Sequence, residues 1–448
     1  MAKTPLLPQQ DLMLRKMRVC PEAAIFASPG LGKTRATLEF IREWISDGGR
    51  GALIIAPLRV ARLTWPAEIA RWVPDLRWAD LRTVEGREVW EREGADIYLV
   101  NNDYLQQLEQ HCFVDRKELP VDILVLDELS KFKESSGKRY KSLFRHRGKF
   151  QRCIGLTGTP GGHLELFGQI KMLDTGKRLG RYVTHYKERF FWCDFLGYNF
   201  SLKEGAKEEI EGLIADMTIT LRGEEYLDIP PVNFVDIDIA LPPPVMSGYK
   251  KLQKEFLLEL EEGEIVANTA AVKVNKLLQL TSGSVYSKDA EGKRSVIVIH
   301  DEKIKALRDL HNKLGKVPVL VMTQFVHERD HILEAFPYAE PFQEKRLDAW
   351  NRGEIPMIVA DARSISLGLN LQGPCCTVIW MSLTYSSTDF FQANSRVART
   401  GQKHPSTIYR IMATNTVDWA VAESLRAKQD TEKGLMATLG ALRVLEKT

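Results

Sequence analysis

No run of 18 consecutive apolar residues occurs in this 448-residue chain, so nothing in it reads as a membrane-crossing helix. The first ten residues lack a basic-then-apolar leader, and we expect a soluble, cytoplasmic protein. Cysteine is scarce. Cys20, Cys112, Cys153, Cys193, Cys375 and Cys376 show neither a C-x-x-C spacing nor a histidine at metal-ligand distance, which argues against zinc and against a disulfide framework and favours reduced thiols. An excess of one charge is also missing: 62 basic residues stand against 59 acidic ones, so any grip on a polyanion must come from local patches. There is no internal repeat and no low-complexity tract.

What remains is an ordinary globular composition, 44% hydrophobic, at a length that suits two or three domains. Short apolar runs alternate with amphipathic stretches. Ala23 to Ala27, Ala52 to Ala56, Ile97 to Asn101, Val121 to Leu126 and Cys153 to Leu156 read as buried strands of a parallel sheet, the first α/β lobe. Val317 to Met322, Met357 to Ala360, Thr377 to Met381 and Thr407 to Ile411 repeat the pattern and predict a second. Two proline clusters, at 230–231 and 242–244, bracket a strand-like Val232 to Ile239 and put the hinge near residues 222–235, with a first domain over 1–225 and a second over 226–448. Residues 161–221 and 245–290 are helix-rich, fit neither sheet and read as protrusions.

The first strand runs into Pro29, Gly30, Leu31, Gly32, Lys33 and Thr34 and then into a helix-forming segment. In such a turn, glycines let backbone N–H groups approach phosphates, Lys33 neutralises β/γ oxygens and Thr34 can hold Mg²⁺; Ala27 stands where the common pattern has its first glycine. Asp127 and Glu128 end the strand Val121 to Leu126, which sets both carboxylates at the carboxyl edge of the sheet, where open α/β folds bind ligands. Alone, that pair is a solvated turn. With Lys33 upstream, it reads as a metal-holding Asp127 and a water-activating Glu128. Far downstream, Gln392, Arg396 and Arg399 have the spacing of one helix face, which suits an arginine finger as well as it suits a solvated basic helix.

These residues, in this order, resemble superfamily-2 helicases and, more narrowly, the Swi/Snf-like translocases. The resemblance covers nearly the whole chain. Leu6 to Gln10 resembles the Q motif, implying that Gln10 contacts adenine; Ala56 to Leu58 with Trp65 resembles motif Ia, Asn101 to Leu105 motif Ib, and Leu156 to Pro160 motif III. Val321 to Phe325 resembles motif IV, Gly368 to Gln372 motif V, and the Gln-x-x-x-Arg-x-x-Arg-x-Gly-Gln string from Gln392 is the Swi/Snf form of motif VI; Thr416 to Asp418 and Lys428 continue the family's usual ending. The chain departs from the family at Leu129 and Ser130, which replace its Ala-His or Gly-His.

The resemblance implies an α/β fold of two RecA-like lobes, each a parallel sheet flanked by helices, with helical protrusions from both. It also implies ATP and Mg²⁺ as cofactors and duplex or branched DNA as partner, with Arg59, Gln324 and Asn370 as nucleic-acid contacts. The Ser366–Gln372 stretch is similar to compact helicases of bacteriophages and bacteria, which suggests a bacterial or phage-infected cell and replication or recombination proteins as associates. Three alternatives stay open: an RNA helicase, a nucleotide-gated DNA clamp with little turnover, and a metabolic P-loop kinase. The stretch from Lys177 to Phe200 interleaves cations with aromatic rings, and predicts a surface that tracks phosphates and stacks a base, the core of a helical protrusion, or both at once with the rings inside and the cations outside.

Overall fold

The computed structural model describes residues 5–114, 116–158, 160–193, 200–227, 230–261, 267–288, 294–365, 371–373, 375–399 and 401–426. By its contacts the chain divides into residues 1–228 and 229–448. The first unit begins with α1 (Pro8–Val19), whose first turn accommodates Pro8 because its missing N–H needs no partner there. Among the described residues its main sheet has seven strands: β1 (Glu22–Ala27), β2 (Gly51–Ala56), β3 (Trp78–Asp80), β4 (Ile97–Asn101), β5 (Val121–Asp127), β6 (Arg152–Thr157) and β9 (Thr218–Leu221), ordered β3-β4-β2-β5-β6-β1-β9. Every pairing in it is parallel.

Helices cover both faces of this sheet, so successive side chains alternate between two cores and the strands have no polar face. Along β5, Ile123 and Val125 pack with Met13, Leu38, Ile41 and Trp65, whereas Leu124 and Leu126 pack with Trp90, Phe113, Phe132 and Phe167. That is why the central strands read as unbroken apolar runs. A small antiparallel hairpin, β7 (Phe191–Cys193) with β8 (Phe200–Leu202), projects from the 161–221 region, but β9 corrects the expectation that this region fits neither sheet. Its last strand pairs with β1 and closes the sheet edge.

In the second unit the described residues form a six-stranded parallel sheet of β10 (Val232–Ile239), β13 (Val319–Thr323), β14 (Ala339–Pro341), β15 (Met357–Asp361), β16 (Thr377–Trp380) and β17 (Ser406–Ala413). Their order is β10-β17-β16-β13-β15-β14. An antiparallel pair, β11 (Ser284–Lys288) and β12 (Arg294–Val298), stands apart from it. The expected strand at Val232 to Ile239 is therefore the edge of this sheet. The region 245–290 carries helices Pro243–Glu261 and Ala267–Ser282, with β11 at its end.

A buried charge network ties together the strand exits of this unit. Lys303 and Asp418, each 1% exposed, form an ion pair of 2.8 Å, and Lys303 Nζ also donates to the Met381 carbonyl at 2.6 Å. Asp418 accepts from Thr281 Oγ1 at 2.8 Å and from the Ala413 N–H at 2.9 Å. Glu328 accepts the N–H groups of Gln324 and Phe325 at 2.8 and 3.1 Å and the Ser382 hydroxyl. Burial pushes the Glu328 carboxyl up, and the Lys303 charge opposes it most. One ammonium thus serves two buried acids, and removing it leaves both uncompensated. Lys303→Met should destabilise the second unit by about 3–5 kcal/mol in urea unfolding, because a broken buried pair strands its partner; a loss below about 1 kcal/mol would show the network to be slack.

His327, 2% exposed, lies stacked on Phe325 with ring centroids 5.2 Å apart and edge-on to Tyr286 at 5.0 Å. Burial, with His331 nearby, holds its imidazole down at about 4. The unfolded chain takes up this proton near pH 6.5 and the folded chain only near 4, so the stability it contributes is complete above about 6.5 and is lost as pH falls through that window. The unfolding midpoint should drop from pH 7 to pH 4.5, and His327→Phe should drop less over the same range. Parallel slopes for the two proteins would remove His327 from the account.

Candidate nucleotide site

The glycine loop leaves β1 and enters α2 (Lys33–Ser46) through two left-handed glycines, Gly30 at φ 88° and Gly32 at φ 81°. Side chains are strained in that conformation, and Gly32 has a second constraint, because a Cβ there would lie 2.1 Å from Gln10 Nε2. The Gln10 carboxamide thus rests against the loop, with its Oε1 accepting the Leu7 N–H at 3.0 Å. Pro29, Gly30 and Leu31 form the turn, and Lys33 and Thr34 open the helix. The Lys33 ammonium donates to the Ala27 carbonyl at 2.6 Å. Ser28 fastens the loop to the sheet edge: its N–H donates to Leu221 O at 3.1 Å, and its hydroxyl accepts the Gly223 N–H at 3.0 Å.

Asp127 closes β5, and Glu128 follows in a left-handed conformation, φ 65° and ψ 62°. A non-glycine residue held there costs about 1–3 kcal/mol and persists only where its surroundings impose it. The Ser130 hydroxyl, in the place of the family's histidine, reaches Glu128 Oε2 at 3.5 Å. Trp65, the first residue of α3 (Trp65–Trp72), donates its indole N–H to Asp127 Oδ2 at 2.9 Å. Burial first, then the Glu128 charge, pushes the Asp127 carboxyl up to about 6, against that hydrogen bond and the charge of Lys33. A half-buried carboxylate with neutral donors and a hard hydroxyl at Thr34 is a donor set that fits Mg²⁺, which keeps few protein ligands and completes its shell with phosphate and water. Thr157 ends β6 fully buried, and a Cβ on Gly158 would meet Pro29 Cδ at 3.2 Å, so the motif III segment starts against the glycine loop.

The second unit holds the arginines differently from the helix face expected for them. Helix Ser387–Asn394, capped by the Ser386 hydroxyl on the Asp389 N–H, contains Gln392 but stops before Arg396 and Arg399. The chain tightens instead: the Arg396 N–H donates to Ala393 O, Val397 N–H to Asn394 O and Arg399 N–H to Val397 O, each at 3.1 Å. Trp380 Nε1 holds Asn394 Oδ1 at 3.0 Å, and Gln402 Nε2 donates to Cys375 O at 2.9 Å, so the turn is pinned to β16 and the segment before it. Burial lowers the pKa of Arg399.

Arg59 lies half-buried just beyond β2, and Gln324 just beyond β13, each at the carboxyl end of its own sheet. Asn370, most of motif V and Lys428 fall outside the described residues. In the Lys177–Phe200 stretch, Tyr186, Phe190 and Phe191 are buried core, while Trp192 and Tyr182 are exposed. Lys177 pairs with Glu22, Arg178 with Asp216 and Arg189 with Glu209, so these cations are engaged within the protein. The packing favours the core of a protrusion over a phosphate track.

Comparison with known proteins gives these sites a family. The chain is 32% identical over 462 aligned residues to protein p41 of Acyrthosiphon pisum secondary endosymbiont phage 1, covering 94% of this chain and 96% of that one. It is 23% identical to the ATP-dependent helicase YqhH of Bacillus subtilis, over 95% of this chain and 78% of that protein. The chain belongs to the Swi/Snf-like family of superfamily-2 ATPases. It also matches human ZRANB3, a DNA annealing helicase and endonuclease, at 27% identity over 59% of this chain, but spans only 24% of that protein. A solved SWI2/SNF2 ATPase core of Sulfolobus solfataricus, in complex with duplex DNA, aligns over 100% of this chain and 96% of that one at 20% identity and a TM-score of 0.45. No protein-family model matches the chain.

As a Swi/Snf-like ATPase, the protein needs Gly32 for the loop's conformation and for its contact with Gln10. Gly32→Ala should abolish binding of a fluorescent ATP analogue while leaving the far-UV circular dichroism unchanged. Retained binding would show that the loop tolerates a side chain where its φ and Gln10 leave none.

Proposed function

We propose that this protein is an ATP-driven DNA translocase that hydrolyses Mg-ATP at the first unit and moves along duplex or branched DNA as the second unit engages and releases. The observation that carries the reading is the group at the carboxyl edge of the first sheet: a lysine on a glycine loop, a half-buried aspartate within its field, and a glutamate in a strained backbone beside it. That set performs phosphoryl chemistry by position and charge. Lys33 and the loop N–H groups hold the β/γ-phosphates, Thr34 and Asp127 would hold Mg²⁺, and Glu128 takes a proton from the attacking water. When bound, the ion neutralises charge developing on the phosphates.

Arg396 and Arg399 belong to the other unit, and we assign them the transition-state charge, with Gln392 as a further residue of the same motif. Hydrolysis then requires the second unit to come to the nucleotide, and Arg59, Gln324 and Asn370 grip the DNA backbone on either side of that step. Similarity to a phage protein over nearly its whole length supports work on phage or bacterial DNA, in replication, recombination or repair.

Steady-state ATPase measurements against duplex, single-stranded, forked and RNA substrates test the reading. Duplex DNA should stimulate turnover strongly and less so at high salt, because each counterion released by a phosphate contact gains less entropy there; equal or better stimulation by RNA alone would reassign the protein as an RNA helicase. Glu128→Gln should bind ATP and lose roughly 10²- to 10⁴-fold in turnover. Arg399→Ala should lose up to about 10³- to 10⁵-fold with DNA affinity nearly unchanged. Normal turnover in either variant contradicts the assigned roles.

A further inference from the structure

Trp65 joins two regions that the roles assigned so far treat separately. Its ring is fully buried at the start of α3, and its indole N–H ends on Asp127 Oδ2, 62 residues away in sequence. The chain leading into it leaves β2 at the carboxyl edge of the sheet and passes through a single wide π-helical turn, Val60–Thr64. Such turns are uncommon distortions that cluster at functional sites. This one is exposed outside and anchored inside. Leu58 and Leu63 are 48% and 42% exposed, Arg62 is exposed and Arg59 half-buried, whereas Ala61 is 2% exposed in the core. The Ala61 N–H donates to Pro57 O at 2.9 Å, and the Trp65 N–H donates back to Val60 O across the turn. A push on the outer side chains is therefore delivered to the indole by one hydrogen-bonded element.

The chemistry of the contact matters as much as its position. An indole N–H donates and never accepts, and it carries no charge, so it fixes the direction of a carboxylate without neutralising it. A lysine or arginine there would compete with a cation. Hydrogen-bonded partners of metal-holding carboxylates orient their ligands, and losing one costs about 10- to 100-fold in metal affinity.

We propose that Trp65 is a positioning residue linking nucleic-acid contact on the Leu58–Leu63 turn to the grip of Asp127 on Mg²⁺. Phosphates drawn to Arg59 and Arg62 shift the turn, the indole moves with it, and the Asp127 carboxylate is set for the metal. DNA stimulation then acts through the hydrogen bond of a neutral ring. This inference rests on the reading of the protein as a DNA-stimulated ATPase.

The test is a Mg²⁺ titration of fluorescent ATP-analogue binding, which requires no turnover, on the full chain with and without duplex DNA. Trp65→Phe keeps the ring and removes the donor. Without DNA, its half-saturating Mg²⁺ should rise about 10- to 100-fold, with metal-free nucleotide affinity unchanged; an unchanged Mg²⁺ requirement overturns the proposal. Duplex DNA should lower the half-saturating Mg²⁺ of the wild type, and Arg62→Ala, an exposed change that leaves the core alone, should abolish that shift without altering the DNA-free value. No shift in a wild-type protein whose turnover is stimulated by duplex also overturns it. A wild type whose turnover ignores duplex fails the functional reading instead, and the DNA-free titration of Trp65→Phe still separates the two.

Discussion

A carboxylate at the end of a strand covered on both faces is expensive to ionise, and the first unit is organised around supplying the field that one such group needs. Asp127 is half-buried, the last residue of a β5 whose other six positions are buried. Its surroundings offer an indole N–H, the neighbouring backbone, the charge of Lys33 and the opposing charge of Glu128, and the balance leaves its carboxyl raised to about 6. A divalent cation would complete that environment. The fold thus holds a ligand whose preferred form depends on what binds beside it, which is the property a nucleotide-gated machine requires.

The second unit handles buried charge in the opposite way. Lys303, Asp418 and Glu328 satisfy one another inside the protein and hold the exits of β13, β16 and β17 in place. Rigid strand exits suit the proposed roles of Gln324 and the Arg396–Arg399 turn. The first unit keeps its carboxylates open to a ligand, and the second spends its own on architecture.

Much of this was legible in the sequence, for a physical reason. Parallel strands buried on both faces have no polar alternation, so β1, β2, β4, β5 and β6 stand out as apolar runs, and the glycines and acids that follow two of them mark the ligand edge. The short edge strands β3, β9 and β14 did not stand out. Trp78 is exposed where Ala79 is buried, and Thr218–Leu221 buries only its last residue, so neither resembles a central strand. The end of the Gln392 helix was equally hidden: Ser395, Arg396 and Val397 are acceptable helix formers, and the break comes from tertiary ties through Trp380 and Gln402. Trp65 was visible as part of a motif, but its bond to Asp127 joins distant segments through the folded sheet, and no local pattern records such a contact.

The central claim is that nucleotide and DNA are energetically coupled, and coupling between two binding sites is reciprocal. The most direct measurement is the affinity of a non-hydrolysable ATP analogue with and without saturating duplex DNA, alongside the affinity of the same duplex with and without saturating analogue. The account predicts that both rise by one common factor, on the order of 5- to 150-fold. Identical nucleotide affinity in the presence and absence of DNA would contradict it.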